Sequence, residues 1–233
     1  MTLKISSIFS AFSHLLYPSL CFGCGDNEIG EHEFVCIHCL SSLPYTQFEK
    51  IRNNPIEKLF WGRTNIKFAC STFYYLEQTP LQQLIHQVKY KEQQKLGIYL
   101  GATMGNLLIP LFSENEVDLL IPMPLHPKKL KKRGYNQASL LCDGIRKLTG
   151  REYDDTLLVR TENTSTQTKK TRLERWENVN TVFSVNDSSK IRDKHILLVD
   201  DVITTGASTE ACAQTLLNAG SKSVAICSLA FTL

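Results

Sequence analysis

Residues 195–208 read HILLVDDVITTGAS, and this stretch decides the fold. Its four consecutive apolar residues, 196–199, are typical of a strand buried on both faces of a parallel sheet. Asp200 and Asp201 follow at once, so we expect them at the strand's carboxyl end, where open α/β sheets place their ligands. The stretch therefore predicts an α/β domain with a ligand site at this edge of the sheet.

A loop of small residues follows and leads into a predicted helix over 209–218, which Gly220 would end. Free N–H groups, hydroxyls and the helix dipole at this point favour a phosphate, while the two carboxylates suit the vicinal hydroxyls of a sugar. An acidic strand end beside an ordinary helix cap is the simpler alternative. We predict a ribose 5-phosphate site whose phosphate is held by Thr204, Thr205, Gly206, Ala207 and Ser208.

The rest of the chain supplies the other elements of an α/β domain. β-Branched and aromatic residues predict a strand over 68–76, an apolar run predicts a second over 117–121, and a short one begins at Phe183. Apolar residues at helical spacing predict helices over 80–90, 96–108 and 136–148. Four scattered cysteines in these apolar patterns are expected in the core: Cys70, Cys142, Cys212 and Cys227.

Two CxxC pairs near the N-terminus form a candidate metal site. Four thiolates complete the closed tetrahedral shell that structural zinc prefers, which leaves no position open for catalysis. The metal-free alternative is a set of buried or redox-active cysteines. We predict a small zinc-binding module with the ligands Cys21, Cys24, Cys36 and Cys39.

The chain is long enough for one α/β domain and a small appendage. Residues 44–66 lose periodicity and carry turn formers, so a linker is expected there, between an N-terminal part (1–60) and the α/β domain (61–233). The first 20 residues have helical apolar spacing, which favours an amphipathic helix packed on its own domain over a membrane-surface anchor. With no convincing signal peptide or membrane span, we expect a cytoplasmic protein with reduced thiols.

Basic residues are concentrated in one region of a chain whose formal net charge is only +3. Residues 126–175 contain 13 Lys/Arg against 6 Asp/Glu, and five of these cations lie within 128–133. A solvated basic face and an anion-binding role remain open for this run. The charge fits a phosphorylated metabolite or a nucleic-acid backbone and does not choose between them.

Taken together, these motifs resemble the ComF family, the competence-protein-F-like members of the type I phosphoribosyltransferases. ILLVDDVITTGAS resembles the signature of that superfamily for phosphoribosyl pyrophosphate (PRPP). The similarity covers nearly the whole chain, because the remaining motifs occur in the family's order: the double CxxC, IHQVKY (85–90), IPMPLHPKKLKKRGYNQA (121–138) and TSTQTKKTRLERWENV (164–179).

The resemblance implies a role for each matching position. Asp200 and Asp201 would contact the ribose hydroxyls, and 204–208 would hold the 5-phosphate. The turn 122–125, with Met123, Pro124 and Leu125, would be the pyrophosphate loop; its peptide geometry is left open. Further matches whose roles are less defined are Lys89, Arg133, Asn136, Gln137, Thr166, Gln167 and Arg172.

The resemblance also implies a reaction and a setting. The enzyme would displace pyrophosphate from C1 of PRPP with the help of Mg²⁺, under a mobile loop near 160–178. The acceptor would bind in a hood built from the zinc module and 68–90. The family is linked to natural transformation and to a helicase-like partner. The alternative is a non-catalytic accessory that binds PRPP, a nucleotide or single-stranded DNA.

Overall fold

Four parallel strands form the central sheet, in the order β1-β6-β5-β2. The computed structural model describes residues 20–26, 29, 34–161 and 182–232 of the 233-residue chain. A separate antiparallel pair joins β3 to β4. The strands are β1 Ala69–Tyr74, β2 Leu119–Pro122, β3 Leu158–Arg160, β4 Phe183–Val185, β5 His195–Ile203 and β6 Ser223–Phe231.

Helices pack against this sheet and confirm the predicted α/β fold. Helices α4 and α6 pack against each other, α6 contacts β2 and β5, and α7 contacts β5 and β6. The helices are α1 Ile37–Ser41, α2 Pro55–Phe60, α3 Pro80–Tyr90, α4 Gln94–Glu114, α5 Pro127–Arg133, α6 Gln137–Thr149 and α7 Ala207–Asn218. The four scattered cysteines are buried in the core, as predicted.

Strand β5 is longer than the apolar run predicted. It continues to Ile203, because Val202 and Ile203 still pair with Ala230 and Phe231 of β6. Asp200 and Asp201 therefore lie within the last part of the strand instead of directly after it. The end of β5 is therefore set by its pairing with β6, and the local sequence does not reveal that pairing.

Residues 44–66 pack on β1 and do not form an extended linker. Tyr45 bridges to Phe73, the Thr46 hydroxyl donates to the Ser71 carbonyl, and the buried Asn54 side chain donates to the Ala69 carbonyl at 2.8 Å. Asn54 also caps α2, whose Phe60 is fully buried. The turn-forming residues of this segment therefore belong to local helix caps and turns. The domain boundary near residue 60 stays a prediction.

Helix α4 extends beyond the predicted 96–108 at both ends. By length and composition it is the one described helix that could cross a membrane. Leu96, Leu100 and Met104 on one of its faces are fully buried against the rest of the chain. The basic run 128–133, in contrast, lies in a short helix of its own, α5, which has no buried residue.

Two predicted segments lie outside the described residues. They are the N-terminal helix, which falls within 1–19, and most of the loop near 160–178, together with Thr166, Gln167 and Arg172.

Two glycines allow α4 and α6 to cross closely. A Cβ atom on Gly144 of α6 would overlap the Ile98 carbonyl oxygen of α4, and one on Gly101 of α4 would overlap the Leu141 carbonyl oxygen of α6. Both obstacles are backbone atoms, so relief requires the helices to move apart. Through α6, this helix pair packs on strands β2 and β5.

We expect Gly144→Ala to destabilise the protein by about 1–3 kcal/mol, because overpacking at the crossing outweighs the better helix propensity of alanine. Chemical denaturation measures the effect. The control is Asn106→Ala at an exposed site of α4, which should change stability by less than about 0.5 kcal/mol. Equal stability of the two variants would show that the helices do not meet at Gly144.

Candidate functional site

The two aspartates of β5 line one cleft together with the loop that follows the strand. The cleft has a volume of about 270 Å³ and lies at the carboxyl end of the parallel sheet. Its lining includes both of these aspartates, all five residues of the predicted phosphate loop, and the three residues of the predicted pyrophosphate turn: Asp200, Asp201, Thr204, Thr205, Gly206, Ala207, Ser208, Met123, Pro124 and Leu125. Segments about 80 residues apart in the chain thus meet in one place.

Backbone N–H groups orient both carboxylates. Asp200 Oδ1 accepts from the N–H of Asp201 at 2.8 Å, and Asp201 Oδ1 accepts from the N–H of Val202 at 2.7 Å. One oxygen of each carboxylate is thereby used. Asp200 Oδ2 is left to act as an acceptor elsewhere, whereas Asp201 Oδ2 faces Lys89.

The Asp200 carboxyl has a raised pKa of about 8. Burial is the main cause, and the neighbouring charge of Asp201 raises the pKa further. The Asp201 N–H and the Lys89 ammonium oppose these effects only in part. The structure therefore places a carboxyl that is costly to ionise beside a second carboxylate, an arrangement that a ligand's donors would relieve.

Lys89 makes an ion pair with Asp201 at 2.7 Å. It comes from the last turn of α3, and both side chains are about one-fifth exposed. Lys89 does not itself line the 270 Å³ cleft. Its ammonium group contacts Asp201, and its charge also lowers the pKa of Asp200.

The phosphate loop passes into α7 through Gly206, whose φ of 73° is left-handed. Any other residue would be strained at this position. No side chain caps the helix at Gly206, and the first N–H groups of a helix have no intrahelical acceptor. Ala207 and Ser208 are exposed and line the cleft, so this end of the helix is open to a ligand in the cleft.

The turn 122–125 is held from two sides. The N–H of Met123 donates to the Val199 carbonyl at 2.8 Å, and the Asn136 side chain donates to the Met123 carbonyl at 2.9 Å. Asn136 Oδ1 also caps α6 by accepting from the N–H of Ala138. Peptide bonds among the described residues, including those of this turn, are trans. Asn136 thus links the turn to the start of α6 by hydrogen bonds to both.

Arg133 lies behind the cleft instead of in its wall. Its guanidinium donates to Gln137 Oε1 at 2.7 Å and covers the Tyr90 ring at 5.1 Å from the centroid. Gln137 does line the cleft and is almost fully buried. Among the described residues, its Nε2 atom has no hydrogen-bond partner. Arg133 therefore orients Gln137, which reaches the cleft.

Several residues of the site were not named in advance, although Lys129 belongs to the basic run 128–133, for which an anion-binding role was open. Lys129 and Arg160 line the cleft and add positive charge to it. Arg63 makes an ion pair with Glu210 in the first turn of α7, and the Phe60 ring packs against Gly206. Proximity to the turn 122–125 could have suggested Lys129; nothing in the sequence indicates that 60–63 braces the phosphate loop.

The four predicted metal ligands converge near the N-terminus. The Sγ atoms of Cys21, Cys24, Cys36 and Cys39 all lie within 4.8 Å of one another. Cys21 Sγ accepts from the backbone N–H groups of Gly23 and Cys36, each at 3.3 Å. Burial raises the pKa of the Cys21 thiol, but backbone donors, led by the N–H of Cys36, lower it to about 6. Four sulfurs around one point, with at least one favoured as thiolate, can hold a metal ion.

The cysteine module contacts the α/β domain away from the cleft. A Cβ on Gly23 would come within 3.2 Å of Pro80 at the start of α3, and Phe34 packs on Tyr99 of α4 with ring centroids 5.5 Å apart. Lys89 is at the other end of α3. None of the described cysteine-module residues lines the 270 Å³ cleft.

Comparison with known proteins finds a matching domain family and several relatives. Residues 142–232 match the phosphoribosyl transferase domain family. The DNA utilization protein YhgH of Escherichia coli (strain K12) is 30% identical over 159 residues, which cover 66% of this chain and 68% of that protein. Competence protein F of Haemophilus influenzae is 27% identical over 225 residues, which cover 93% and 92% of the two chains.

Solved structures give a weaker match. The allosteric regulatory enzyme of purine biosynthesis aligns at 19% identity with a TM-score of 0.42. The alignment covers 57% of this chain and 25% of that one, so this chain spans about a quarter of that enzyme.

The match to the phosphoribosyl transferase domain includes the two aspartates and the loop 204–208. The similarity to YhgH covers 66% of the chain, and the similarity to competence protein F covers 93%. The chain therefore belongs to the ComF family of phosphoribosyltransferase-like proteins.

Proposed function

We propose that this protein binds PRPP in the 270 Å³ cleft and transfers its phosphoribosyl group with release of pyrophosphate. The observation that carries the proposal is the meeting of two carboxylates and a loop of free N–H groups in one cleft. The carboxylates suit the hydroxyl groups of a sugar, and the free N–H groups suit its phosphate. The match of 142–232 to the phosphoribosyl transferase domain supports the same assignment.

Each part of the cleft has a role in this proposal. Asp200 and Asp201 accept hydrogen bonds from the ribose hydroxyls, and the N–H groups of 204–208 donate to the 5-phosphate. The turn 123–125 and the nearby Lys129 face the pyrophosphate. Lys89 is a positioning residue, because it holds Asp201 and touches no reacting atom.

The chemistry is a displacement at the ribose C1 atom. The bond from C1 to the pyrophosphate oxygen breaks with its electron pair leaving on pyrophosphate, and an acceptor nucleophile forms the new bond to C1. The transition state resembles an oxocarbenium ion, so nearby carboxylates stabilise its positive charge. The donor half of the reaction is thereby assigned to named residues; the acceptor is to be identified by screening.

Magnesium fits this cleft by the chemistry of its donors, since carboxylate and phosphate oxygens are the ligands it prefers. Asp200 and Asp201 are the residues that would share it with PRPP. When bound, Mg²⁺ neutralises charge on the leaving pyrophosphate.

We also propose that the cysteine module holds a structural Zn²⁺ ion. Four converging thiol groups match the closed coordination shell of structural zinc sites. The module's contacts with Pro80 and Tyr99 lie away from the ribose cleft, which supports a role in folding.

A second candidate function is a non-catalytic accessory of the competence machinery. The names of the relatives, a DNA utilization protein and a competence protein, favour a link to DNA uptake. In this version the protein is cytoplasmic, senses PRPP or a nucleotide, and works with single-stranded DNA or a helicase-like partner. Both candidate functions use the cleft, so they are distinguished by whether the protein turns over PRPP.

We expect Mg²⁺-dependent PRPP binding that Asp200→Ala with Asp201→Ala weakens at least about 100-fold, because charge-assisted hydrogen bonds to the ribose are lost. Isothermal titration calorimetry measures the affinity. The control variant, Glu77→Ala with Glu114→Ala, removes two exposed carboxylates outside the cleft.

Unchanged affinity in the Asp200 and Asp201 variant would contradict the site. Release of pyrophosphate in a screen of acceptors with PRPP and Mg²⁺ identifies an enzyme. Tight PRPP binding with no release across the screen favours the accessory.

We expect Asp200→Asn to stabilise the ligand-free protein at pH 8 while it weakens PRPP binding. The folded chain holds the Asp200 proton up to about pH 8, whereas the unfolded chain loses it near the ordinary pKa of 3.8. Stability of the unmodified protein therefore falls as pH rises through this window, and asparagine avoids the loss.

Thermal melts at pH 4 and pH 8 measure this effect. The Tm difference in favour of Asp200→Asn should be near zero at pH 4 and exceed about 3 °C at pH 8. A difference that does not change with pH would show that the Asp200 carboxyl is ionised in the folded protein.

We expect removal of zinc by a chelator to unfold the cysteine module and to leave PRPP affinity within about threefold, since metal binding is coupled to local folding. Metal content, protection of 20–43 from proteolysis and PRPP titration measure the three effects. Cys36→Ser should behave as the chelated protein, and Cys212→Ser, outside the cluster, should keep its metal. Complete loss of PRPP affinity on chelation would place the module in the wall of the cleft.

A further inference from the structure

The amide of Gln137 is a buried donor that the protein itself does not use. Gln137 begins α6, lines the 270 Å³ cleft and is only 3% exposed. Arg133 Nη1 donates to its Oε1 atom at 2.7 Å. A guanidinium has donors only, so this contact fixes the orientation of the amide, with Oε1 toward Arg133 and Nε2 directed elsewhere. Nε2 is buried and has no hydrogen-bond partner within the part of the chain that the structure describes. A buried N–H group without an acceptor is unfavourable, so this donor suits an acceptor atom of a ligand in the cleft.

The segment that carries this amide is tied to α3. The Arg133 guanidinium lies over the Tyr90 ring, 5.1 Å from its centroid, and Arg133 Nη2 donates to the Tyr90 hydroxyl at 3.5 Å. The Tyr135 hydroxyl donates to the backbone carbonyl of Val88. These contacts hold Arg133 in place, and Arg133 in turn holds the Gln137 amide. The donor is therefore oriented before a ligand arrives.

The neighbours of Gln137 indicate which part of a ligand its amide meets. Asn136, the preceding residue, donates to the carbonyl of Met123 in the proposed pyrophosphate turn. On another side, Gln137, Asp201 and Lys89 together line a void of about 10 Å³. Gln137 thus lies between the turn and the acid pair. In the proposed function the acid pair holds the ribose hydroxyls and the turn faces the pyrophosphate, so the ligand atoms between them are the pyrophosphate oxygens next to C1.

We propose that Gln137 is a specificity-determining residue, which selects PRPP over ribose 5-phosphate by donating from Nε2 to a pyrophosphate oxygen next to the ribose C1 atom. The inference rests on the proposed function and deepens it, since it names a contact that recognises the leaving group. A pyrophosphate oxygen is a charged acceptor, and hydrogen bonds to charged acceptors are the stronger ones. Arg133 is a positioning residue, because it orients the amide and does not itself line the cleft.

A purely structural role is the competing explanation, in which a water molecule in the 10 Å³ void accepts from Nε2. The void is at the lower limit of the roughly 10–15 Å³ that a water molecule needs, and five of its eight lining residues are apolar. Its other two polar residues, Lys89 and Asp201, already pair with each other. The void is therefore a poor site for water, which favours a ligand oxygen as the acceptor.

Isothermal titration calorimetry with PRPP and with ribose 5-phosphate, both with Mg²⁺, tests the proposal. Gln137→Met keeps the length of the side chain and removes the donor. It should weaken PRPP binding roughly 10- to 150-fold, as expected for one hydrogen bond to a charged group, and leave ribose 5-phosphate affinity within about threefold. The matched control is Gln83→Met at an exposed position of α3 outside the cleft, which should change neither affinity.

A double-mutant cycle tests the role of Arg133. Arg133→Leu should weaken PRPP binding by a smaller factor than Gln137→Met, because the amide then loses its fixed orientation. The double variant should bind PRPP within about threefold of Gln137→Met alone, since Arg133 acts through the amide. Losses that multiply in the double variant would show that Arg133 contacts the pyrophosphate directly, and would overturn its positioning role.

Equal losses of affinity for PRPP and ribose 5-phosphate in Gln137→Met would overturn the proposal in favour of the structural role. If Gln137→Met does not fold, Arg133→Leu at its partly exposed site carries the same comparison, and unchanged selectivity there contradicts the proposal. Failure of the unmodified protein to bind PRPP would contradict the proposed function itself. PRPP binding with unchanged selectivity in the variants would contradict only the role of Gln137.

Discussion

Parallel pairing of β5 between β2 and β6 is the constraint on which the candidate site depends. The pairing with β6 continues past the apolar run and carries Asp200 and Asp201 to the edge of the sheet in an extended backbone. Fixed there, the partly buried carboxyl of Asp200 lies beside that of Asp201, and its loss of solvation raises its pKa. A flexible loop would let the two charges separate into solvent. The sheet therefore holds the acid pair in an arrangement that favours a ligand with hydroxyl donors.

The phosphate loop depends on this strand at one end and on distant segments at its sides. Gly206 packs against Phe60, and Arg63 pairs with Glu210, so the segment that precedes β1 braces the start of α7. On the other side, Asn136 ties the turn 122–125 to α6. Anion-binding N–H groups act best when their geometry is set before the ligand arrives. These contacts supply that order without occupying the cleft.

Two further surfaces are arranged around this centre. The cysteine module sits at the start of α3 and packs on α4, about the length of α3 away from Lys89. A concavity of about 890 Å³, lined by residues 48–70 and the end of α4, shares Phe60 and Arg63 with the braces of the phosphate loop. One short segment thus supports the 270 Å³ cleft through Phe60 and Arg63 and also presents Trp61 and several cations to solvent.

The sequence by itself determined the features that are local in the chain. A four-residue apolar run, a small-residue loop and two CxxC pairs carry their own patterns, so the parallel α/β fold, the family and a cluster of four cysteines that could hold a metal were all predictable from them. Only the tertiary structure decided where β5 ends, how 44–66 packs on β1, and that Arg63, Lys129 and Arg160 lie at or beside the cleft. The reason is physical: strand ends and braces are set by partners far away in sequence, and local patterns do not encode those contacts.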